Sequence, residues 1–135
     1  MNCENTNKCT DSSNYIKETV ARIDKIQKEI LSDAFGTCIT CESSLLSANN
    51  TIPVRFNTCC GNAVIGNVGV TATETVYFRI ESLRCNRFVT LRLLVPDGDT
   101  LAGTDYTMIL DLDCVGSMQC FEAISVEVCT QSSAA

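Results

Sequence analysis

The sequence contains no histidine and no tryptophan, and it has two prolines. Histidine is the commonest general base near neutral pH, so its absence excludes Ser-His and Cys-His nucleophile pairs and histidine-ligated metals. A membrane-spanning helix needs about 18 consecutive apolar residues, and Arg79, Arg92 and Asp111 interrupt the longest candidate runs. The sequence therefore predicts no familiar hydrolase, no cofactor and no membrane span.

Basic residues are also scarce, with 10 Lys and Arg against 16 Asp and Glu and a formal net charge of −6. Nucleic acids and anionic lipids are bound chiefly by Lys and Arg, and the sequence has no basic cluster. We therefore expect no nucleic-acid partner. The first residues have neither the basic start nor the apolar stretch of a secretory signal peptide, so we expect none.

Cysteine is the residue in excess, with 10 in a chain of 135 residues. This density is typical of chains that form disulfides or bind a metal. The length fits a single domain that can fold without crosslinks, so the cysteines need a separate explanation. The candidate crosslinking residues are Cys3, Cys9, Cys38, Cys41, Cys59, Cys60, Cys85, Cys114, Cys120 and Cys129.

Residues 1–13 are polar and include two of the cysteines, which predicts a flexible N-terminal arm. A cluster of capping residues at 12–14 then precedes an apolar stripe, which predicts an amphipathic helix over about 14–34. Gly36 suits the end of this helix because glycine tolerates the left-handed conformation found there. The stripe consists of Ile16, Val20, Ile23, Ile26 and Ile30.

Further along the chain, the apolar residues alternate with a period of two, which indicates half-buried strands. Residues 96–99, with a proline and a glycine, predict a turn between two of them. The predicted strands cover residues 51–57, 63–70, 76–81, 89–95, 106–112 and 120–129. We therefore predict a mainly β domain over residues 14–135, sandwich-like or jelly-roll-like, with six to eight strands and one N-terminal helix.

Two other uses of the cysteines stay open. Cys38 and Cys41 have the spacing of a thiol-disulfide oxidoreductase pair, although such a pair normally lies between a strand and a helix start. Together with Cys59 and Cys60, they could supply four thiolates to zinc. Adjacent cysteines fit tetrahedral coordination poorly, so we favour structural disulfides over both alternatives.

Two pairs of acidic residues offer a third possibility. Asp97 and Asp99 lie in the predicted turn, and Asp111 and Asp113 lie on one face of a predicted strand. Such pairs can bind calcium or act as an acid and a base. Carboxylates at turns and strand ends are usually solvated, so we expect no metal site and no enzymatic activity.

Several segments, in order, resemble the Bacillus family of spore coat proteins Y and Z, which includes the exosporium protein ExsY. The resemblance covers most of residues 14–121, and Val115-Gly116-Ser117-Met118 and Cys59-Cys60 depart from it. The matching segments are the opening helix with Cys38 and Cys41, Thr51-Ile52-Pro53, Gly66-Asn67-Val68-Gly69, Val76-Tyr77-Phe78-Arg79-Ile80-Glu81, Thr90-Leu91, Leu93-Leu94, Thr104-Asp105-Tyr106, Asp111-Leu112-Asp113-Cys114 and Gln119-Cys120.

This resemblance implies a structural protein that is made in the mother-cell cytoplasm without a signal peptide. It implies self-assembly into ordered arrays on the endospore surface, in the coat or exosporium, with other spore proteins as further partners. We expect the copies to associate through apolar faces or exposed sheet edges and disulfides to follow. Cys3 and Cys9, on the arm, are the expected intersubunit links. The expected links within or between neighbouring domains are Cys85, Cys114, Cys120 and Cys129.

Overall fold

The computed structural model describes residues 6–33, 49–70 and 73–127, and for the helix it describes the side chains of residues 14–30. The elements are α1 (Thr6–Asp33), β1 (Val54–Thr58), β2 (Gly66–Asn67), β3 (Glu74–Thr75), β4 (Tyr77–Arg84), β5 (Phe88–Asp97), β6 (Thr100–Asp111), a 3₁₀ turn (Leu112–Cys114) and β7 (Val115–Cys120). The predicted mainly β domain with one N-terminal helix is confirmed.

The helix begins earlier than predicted. Its backbone is helical from Thr6, so residues 6–13 of the predicted arm belong to α1, and residues 1–5 lie outside the described residues. No glycine or proline interrupts residues 6–13. Serine costs only a few tenths of a kcal/mol inside a helix, so helix formation continues through the predicted cap. The segment described as α1 has no stretch apolar enough to cross a membrane.

The buried stripe of α1 includes a polar residue that the sequence pattern missed. The stripe consists of Ile16, Val20, Ile23 and Gln27. Ile26, predicted to belong to it, is 38% exposed, whereas Gln27 is 2% exposed. The Gln27 side chain donates a hydrogen bond to the Ile80 carbonyl at 2.7 Å and accepts one from the Ile52 N–H at 3.0 Å. The Gln27 amide therefore connects the helix to the backbone of β4 and to the segment just before β1.

The main sheet has five antiparallel strands in the order β6-β5-β4-β1-β7. Strands β4, β5 and β6 are consecutive hairpin neighbours, whereas β1 lies between β4 and β7. The β1–β7 register runs from Val54 opposite Cys120 to Thr58 opposite Val115. Strands β2 and β3 form a separate two-stranded sheet. The described residues thus contain seven strands, within the predicted six to eight.

The main sheet is strongly curled. Strands β6 and β7 lie at opposite edges, yet the turn Leu112–Cys114 is all that connects them. Four Cα steps span at most about 14 Å. A flat sheet would place the two edge strands about 19 Å apart, since neighbouring strands are about 4.8 Å apart. The sheet must therefore bend back on itself into a sandwich-like domain.

Bulges in the strands allow this bending. Extra residues lie in β4 between Ile80 and Ser82, and the edge strands have them too, in β6 between Gly103 and Thr107 and in β7 between Val115 and Ser117. Such bulges bend a strand and increase its twist. The connecting turn is fixed at both ends. Leu112 N–H donates to the Arg87 carbonyl at 2.8 Å, and Cys59 N–H donates to the Cys114 carbonyl at 2.9 Å. The turn therefore joins the β4–β5 hairpin to the end of β1.

The core lies between the curled sheet and α1, which packs on β4, β7 and the 3₁₀ turn. Phe78 and Ile80 of β4 face inward beside their partners on β5. The β2 backbone also lies against this core at Gly66, because a Cβ there would come within 2.8 Å of Leu93 Cδ2. The buried apolar residues of the sheet are Val54, Phe56, Phe78, Ile80, Val89, Leu91, Leu93, Leu94 and Val115.

Residues 121–127, which we call the strap, continue from β7 beside the segment that precedes β1. Ile124 and Thr51 exchange two backbone hydrogen bonds of 2.8 and 3.0 Å, and the Phe121 ring meets the edge of Tyr77 at 5.6 Å. The strand predicted at 120–129 is therefore wrong in position, because β7 ends at Cys120 and Ile124 forms an isolated bridge. Residues 128 and 129 lie outside the described residues.

The predicted strand at 63–70 is also much shorter in the structure. It contributes only Gly66–Asn67, because Gly69 has a φ of 77° and the chain turns there. The predicted strands at 51–57, 76–81, 89–95 and 106–112 overlap β1, β4, β5 and β6.

Candidate self-assembly surface

The two edge strands of the main sheet, β6 and β7, each have one side with no partner strand among the described residues. β6 is the longest strand, with 12 residues, and β7 has six. An unpaired edge presents N–H and C=O groups that can pair with another chain. Both edges are therefore places where a second copy could add to the sheet.

β7 has no charged residue, and on β6 the two charged residues, Asp105 and Asp111, flank an uncharged segment. Monomeric β proteins protect their edges with Lys, Pro, bulges or inward-pointing charges. β7 (VGSMQC) contains no charged residue and no proline, and neither do residues 106–110 of β6 (YTMIL). This is notable in a chain with 26 charged side chains, from 10 basic and 16 acidic residues. The edges have the composition of association sites.

Four exposed apolar side chains lie on β6 or in the loops that flank β2. We call this set the β6 edge patch: Ile65, Val70, Tyr106 and Ile109. Ile109 is 70% exposed and Val70 is fully exposed. The loop at Gly69 passes close to Tyr106, since a Cβ on Gly69 would lie 3.3 Å from the Tyr106 hydroxyl oxygen. The patch therefore combines residues from β6 and from the loops flanking β2.

The structure describes the side chains of five of the ten predicted crosslinking cysteines: Cys59, Cys60, Cys85, Cys114 and Cys120. Cys3, Cys38, Cys41 and Cys129 lie outside the described residues, and of Cys9 only the helical backbone is described. The expected roles of Cys3, Cys9 and Cys129 thus stay predictions.

Cys85 and Cys120 carry free, exposed thiols. Cys85 and Asn86 form the tip of the β4–β5 hairpin, with φ values of 57° and 52°, the backbone signature of a type I′ turn. Cys120 ends β7, at one edge of the sheet. Partial burial raises the pKa of the Cys120 thiol above its usual value, which lowers its thiolate fraction at neutral pH.

Cys59 is disulfide-bonded. A sulfur in a disulfide cannot also be a thiolate ligand, which counts against a zinc site of Cys38, Cys41, Cys59 and Cys60. In the described part of the chain, no three Cys, Asp or Glu side chains form a group suited to a metal ion. The backbones of Cys59 and Cys114 meet at the 3₁₀ turn, so the fold brings together cysteines far apart in sequence.

The acidic pair on β6 and the following turn is engaged by basic residues. Arg87 binds Asp111 through two hydrogen bonds of 2.9 and 2.8 Å and lies 3.0 Å from Asp113, and Lys17 lies 2.6 Å from Asp113. The hydrogen bonds from Arg87 hold the pKa of Asp111 below its usual value. A general acid requires a raised pKa, so Asp111 is not suited to that role. Asp97 and Asp99 are exposed at the β5–β6 turn.

A buried polar network centred on Arg79 was missed by the sequence pattern, which placed Arg79 on the solvent side of its strand. Arg79 is 3% exposed and donates hydrogen bonds to Thr51 Oγ1 at 2.7 Å, to Glu81 Oε2 at 2.9 Å and to the Asn50 carbonyl at 3.3 Å. The Asn50 amide in turn makes two hydrogen bonds, of 2.8 and 3.0 Å, with the Val126 backbone. The network fastens the strap to the sheet and is structural.

Comparison of the chain with protein-family models, with curated proteins and with solved structures found no match.

Proposed function

We propose that this chain is a structural protein of the bacterial spore coat or exosporium that assembles with copies of itself into ordered, disulfide-crosslinked arrays. The observation that carries the proposal is that each edge strand of the main sheet has an uncharged segment and, among the described residues, one side without a partner strand. A sheet with two such edges can join a neighbour on each side, and repeated joining produces fibres or lattices. The arrays would protect the endospore.

The resemblance to the spore coat Y and Z family supports the same function. Its most distinctive segments hold the fold together: Val76-Tyr77-Phe78-Arg79-Ile80-Glu81 forms most of β4 and contains the buried Arg79, and Asp111-Leu112-Asp113-Cys114 forms the ion pairs and the turn that closes the sheet. Because these segments hold the fold together, the resemblance supports a shared architecture and not only a shared short motif. In this proposal the protein is made in the mother-cell cytoplasm and joins other coat or exosporium proteins.

The order of events follows from the redox environment. Noncovalent edge contacts can form in the reducing cytoplasm, where thiols stay reduced. After lysis of the mother cell, pairs of thiols on neighbouring copies each lose two protons and two electrons to dioxygen, which is reduced, and an S–S bond forms. Cys85 and Cys120 are exposed, so they are available for this step.

Electron microscopy of the purified chain tests the proposal. We expect ordered sheets, rings or filaments that form in reductant, survive detergent and heat after air oxidation, and loosen again when reductant is added. Nonreducing electrophoresis should then show a ladder of covalent multimers. The same electrophoresis on Cys85→Ser and on Cys120→Ser, two exposed positions, shows whether either thiol forms the covalent multimers. The double variant Cys3→Ser, Cys9→Ser tests the predicted intersubunit links of the N-terminal segment.

Three results would contradict the proposal. One is a chain that stays monomeric at high concentration whether reduced or oxidised. Another is catalysis of insulin reduction that disappears in Cys38→Ser, which would identify a thiol-disulfide oxidoreductase. A stoichiometric zinc content with unfolding by chelator would identify a zinc module instead.

A further inference from the structure

We propose that two copies of this chain join through their β6 edges, antiparallel across a two-fold axis that passes through residues 106–110. The inference rests on the proposed function and specifies which edge makes the first, noncovalent contact. The second copy adds its β6 strand to the outer side of β6, so that the two main sheets become one continuous sheet.

The direction of the edge strands favours like-with-like pairing. Five antiparallel strands alternate in direction, so β6 and β7, the first and the last, run the same way. Pairing β6 with β7 of a copy in the same orientation would therefore be parallel, whereas pairing β6 with β6 across a two-fold axis is antiparallel. Antiparallel pairs are slightly more stable and two- to three-fold commoner.

The apolar side chains favour β6 over β7. Ile109 is 70% exposed on β6, and the exposed residues of β7 are the polar or weakly polar Ser117, Gln119 and Cys120. Burial of apolar surface is the main driving force of association. On an antiparallel pair, side chains of directly opposite residues on the same face lie in contact. An axis near Ile109 therefore packs this residue against the same region of the second copy.

The charges place the axis within residues 106–110. This segment has no charged residue, and the acidic residues Asp105 and Asp111 flank it. Like charges directly opposite each other destabilise a strand pair, which disfavours an axis close to Asp105. Asp111 is paired with Arg87 within its own chain, so its charge is already balanced.

The other members of the β6 edge patch extend the contact. The loop at Gly69, directly before Val70, passes beside the Tyr106 hydroxyl, and Ile65 precedes the Gly66 that packs near Met108. Val70 and Ile65 are both exposed. Met108 and Ile109 are neighbours in a strand, so their side chains point to opposite faces. The patch therefore borders the edge on both sides of the sheet, as a strand added at that edge requires.

Sedimentation velocity with Ile109→Lys tests the inference. A lysine on an edge strand is the device by which β proteins prevent edge pairing. In reductant, which removes covalent multimers, we expect wild-type chain to form dimers and Ile109→Lys to weaken dimerisation by about tenfold or more. The substitution reduces the net negative charge and hence the general repulsion between copies, so a loss of association cannot be attributed to net charge.

The matched control is Gln119→Lys, which adds the same charge at an exposed position on the other edge strand. We expect its dimerisation to stay within about twofold of wild type, because a surface substitution away from a contact has little effect. Circular dichroism of each variant establishes that the strand content is unchanged. Ile109→Cys supplies a second measurement, since a position next to a two-fold axis should form a disulfide with itself, detectable as a crosslinked peptide by mass spectrometry.

Each outcome is decisive. Dimerisation that Ile109→Lys leaves unchanged, or that Gln119→Lys alone abolishes, would overturn the β6 pairing while self-assembly stands. A wild-type chain that is monomeric in reductant yet multimeric after oxidation would also overturn it, because assembly would then depend on disulfides alone. A chain that is monomeric in both conditions would refute the proposed function itself.

Discussion

Gln27 offers the sharpest test of how the helix is attached to the sheet. In the Gln27→Met variant the side chain keeps nearly the same length and helix propensity, but it loses both hydrogen bonds, to the Ile80 carbonyl and from the Ile52 N–H. Leaving a buried backbone group unpaired costs about 1–3 kcal/mol. The Ile80 contact is buried and the Ile52 contact is partly buried, so the second group costs less than the first.

The two unpaired backbone groups should therefore lower the free energy of unfolding by about 3–4 kcal/mol. Burial of the more apolar Met side chain should offset about 1 kcal/mol of that loss. The free energy of unfolding should fall by about 2–3 kcal/mol. With a urea slope near 2 kcal/mol/M, typical of small proteins, the unfolding midpoint should move down by about 1–1.5 M. Urea titration followed by circular dichroism, under fixed redox conditions, measures this shift.

The control is Ile26→Met, on the neighbouring position of α1. Ile26 is 38% exposed and lies outside the buried stripe, so its substitution should change the free energy of unfolding by less than about 0.5 kcal/mol. If Gln27→Met and Ile26→Met unfold at the same midpoint with the same slope, the Gln27 amide does not stabilise the attachment. The reasoning from buried hydrogen bonds would then fail.

Three further predictions concern charged and thiol groups. Arg79→Met leaves several buried partners unpaired and should lower the free energy of unfolding by about 3–5 kcal/mol, measured by urea titration; a change below 1 kcal/mol would contradict a structural network. The pKa of Asp111 is lowered in the folded state, so its contribution is present above the unfolded pKa of about 3.9 and is lost as the pH falls through the lower folded value. Asp111→Asn should therefore reduce the free energy of unfolding near neutral pH by at most about 1 kcal/mol. It should also make the fall of that free energy below about pH 4 less steep, as measured by urea titration at several pH values. The same pH dependence in wild type and variant would contradict a lowered pKa of Asp111. Because burial raises the pKa of Cys120, its alkylation by iodoacetamide should be slow at pH 7 and should still be accelerating above about pH 8.5, the ordinary thiol pKa; a rate that levels off below that pH would be inconsistent with a raised pKa.

The sequence pattern predicted the elements whose stability comes from alternation along their own length. In β4 and β5, inward Phe78 and Leu91 alternate with polar residues, and the structure buries them as expected. The turn between β5 and β6 was predicted from its proline and glycine, and Gly98 has a φ of 65°. These features depend on local chemistry, which the sequence displays directly.

The missed features depend on long-range pairing. β7 has no regular alternation, and it becomes a strand because β1 supplies its hydrogen-bond partners. Gln27 is polar, so a hydrophobic stripe excluded it, although the backbone groups of Ile52 and Ile80 require an amide at that position. The uncharged segments at 106–110 and 115–120 are visible in the sequence, but the sequence does not show which strands form the edges of the sheet.

The order of the strands also has a consequence for the time at which the domain can form. Asn57 of β1 and Ser117 of β7 are in register and lie 60 residues apart in the chain, whereas β4 pairs with β5, and β5 with β6, the next strand along the chain. Local hairpins form quickly, and contacts between distant residues form late because closing a long loop costs entropy. During synthesis the β4–β5–β6 meander should therefore form before the β1–β7 pair, which cannot form until the ribosome has released β7. Copies can thus present a finished five-stranded sheet to one another only after β7 has left the ribosome.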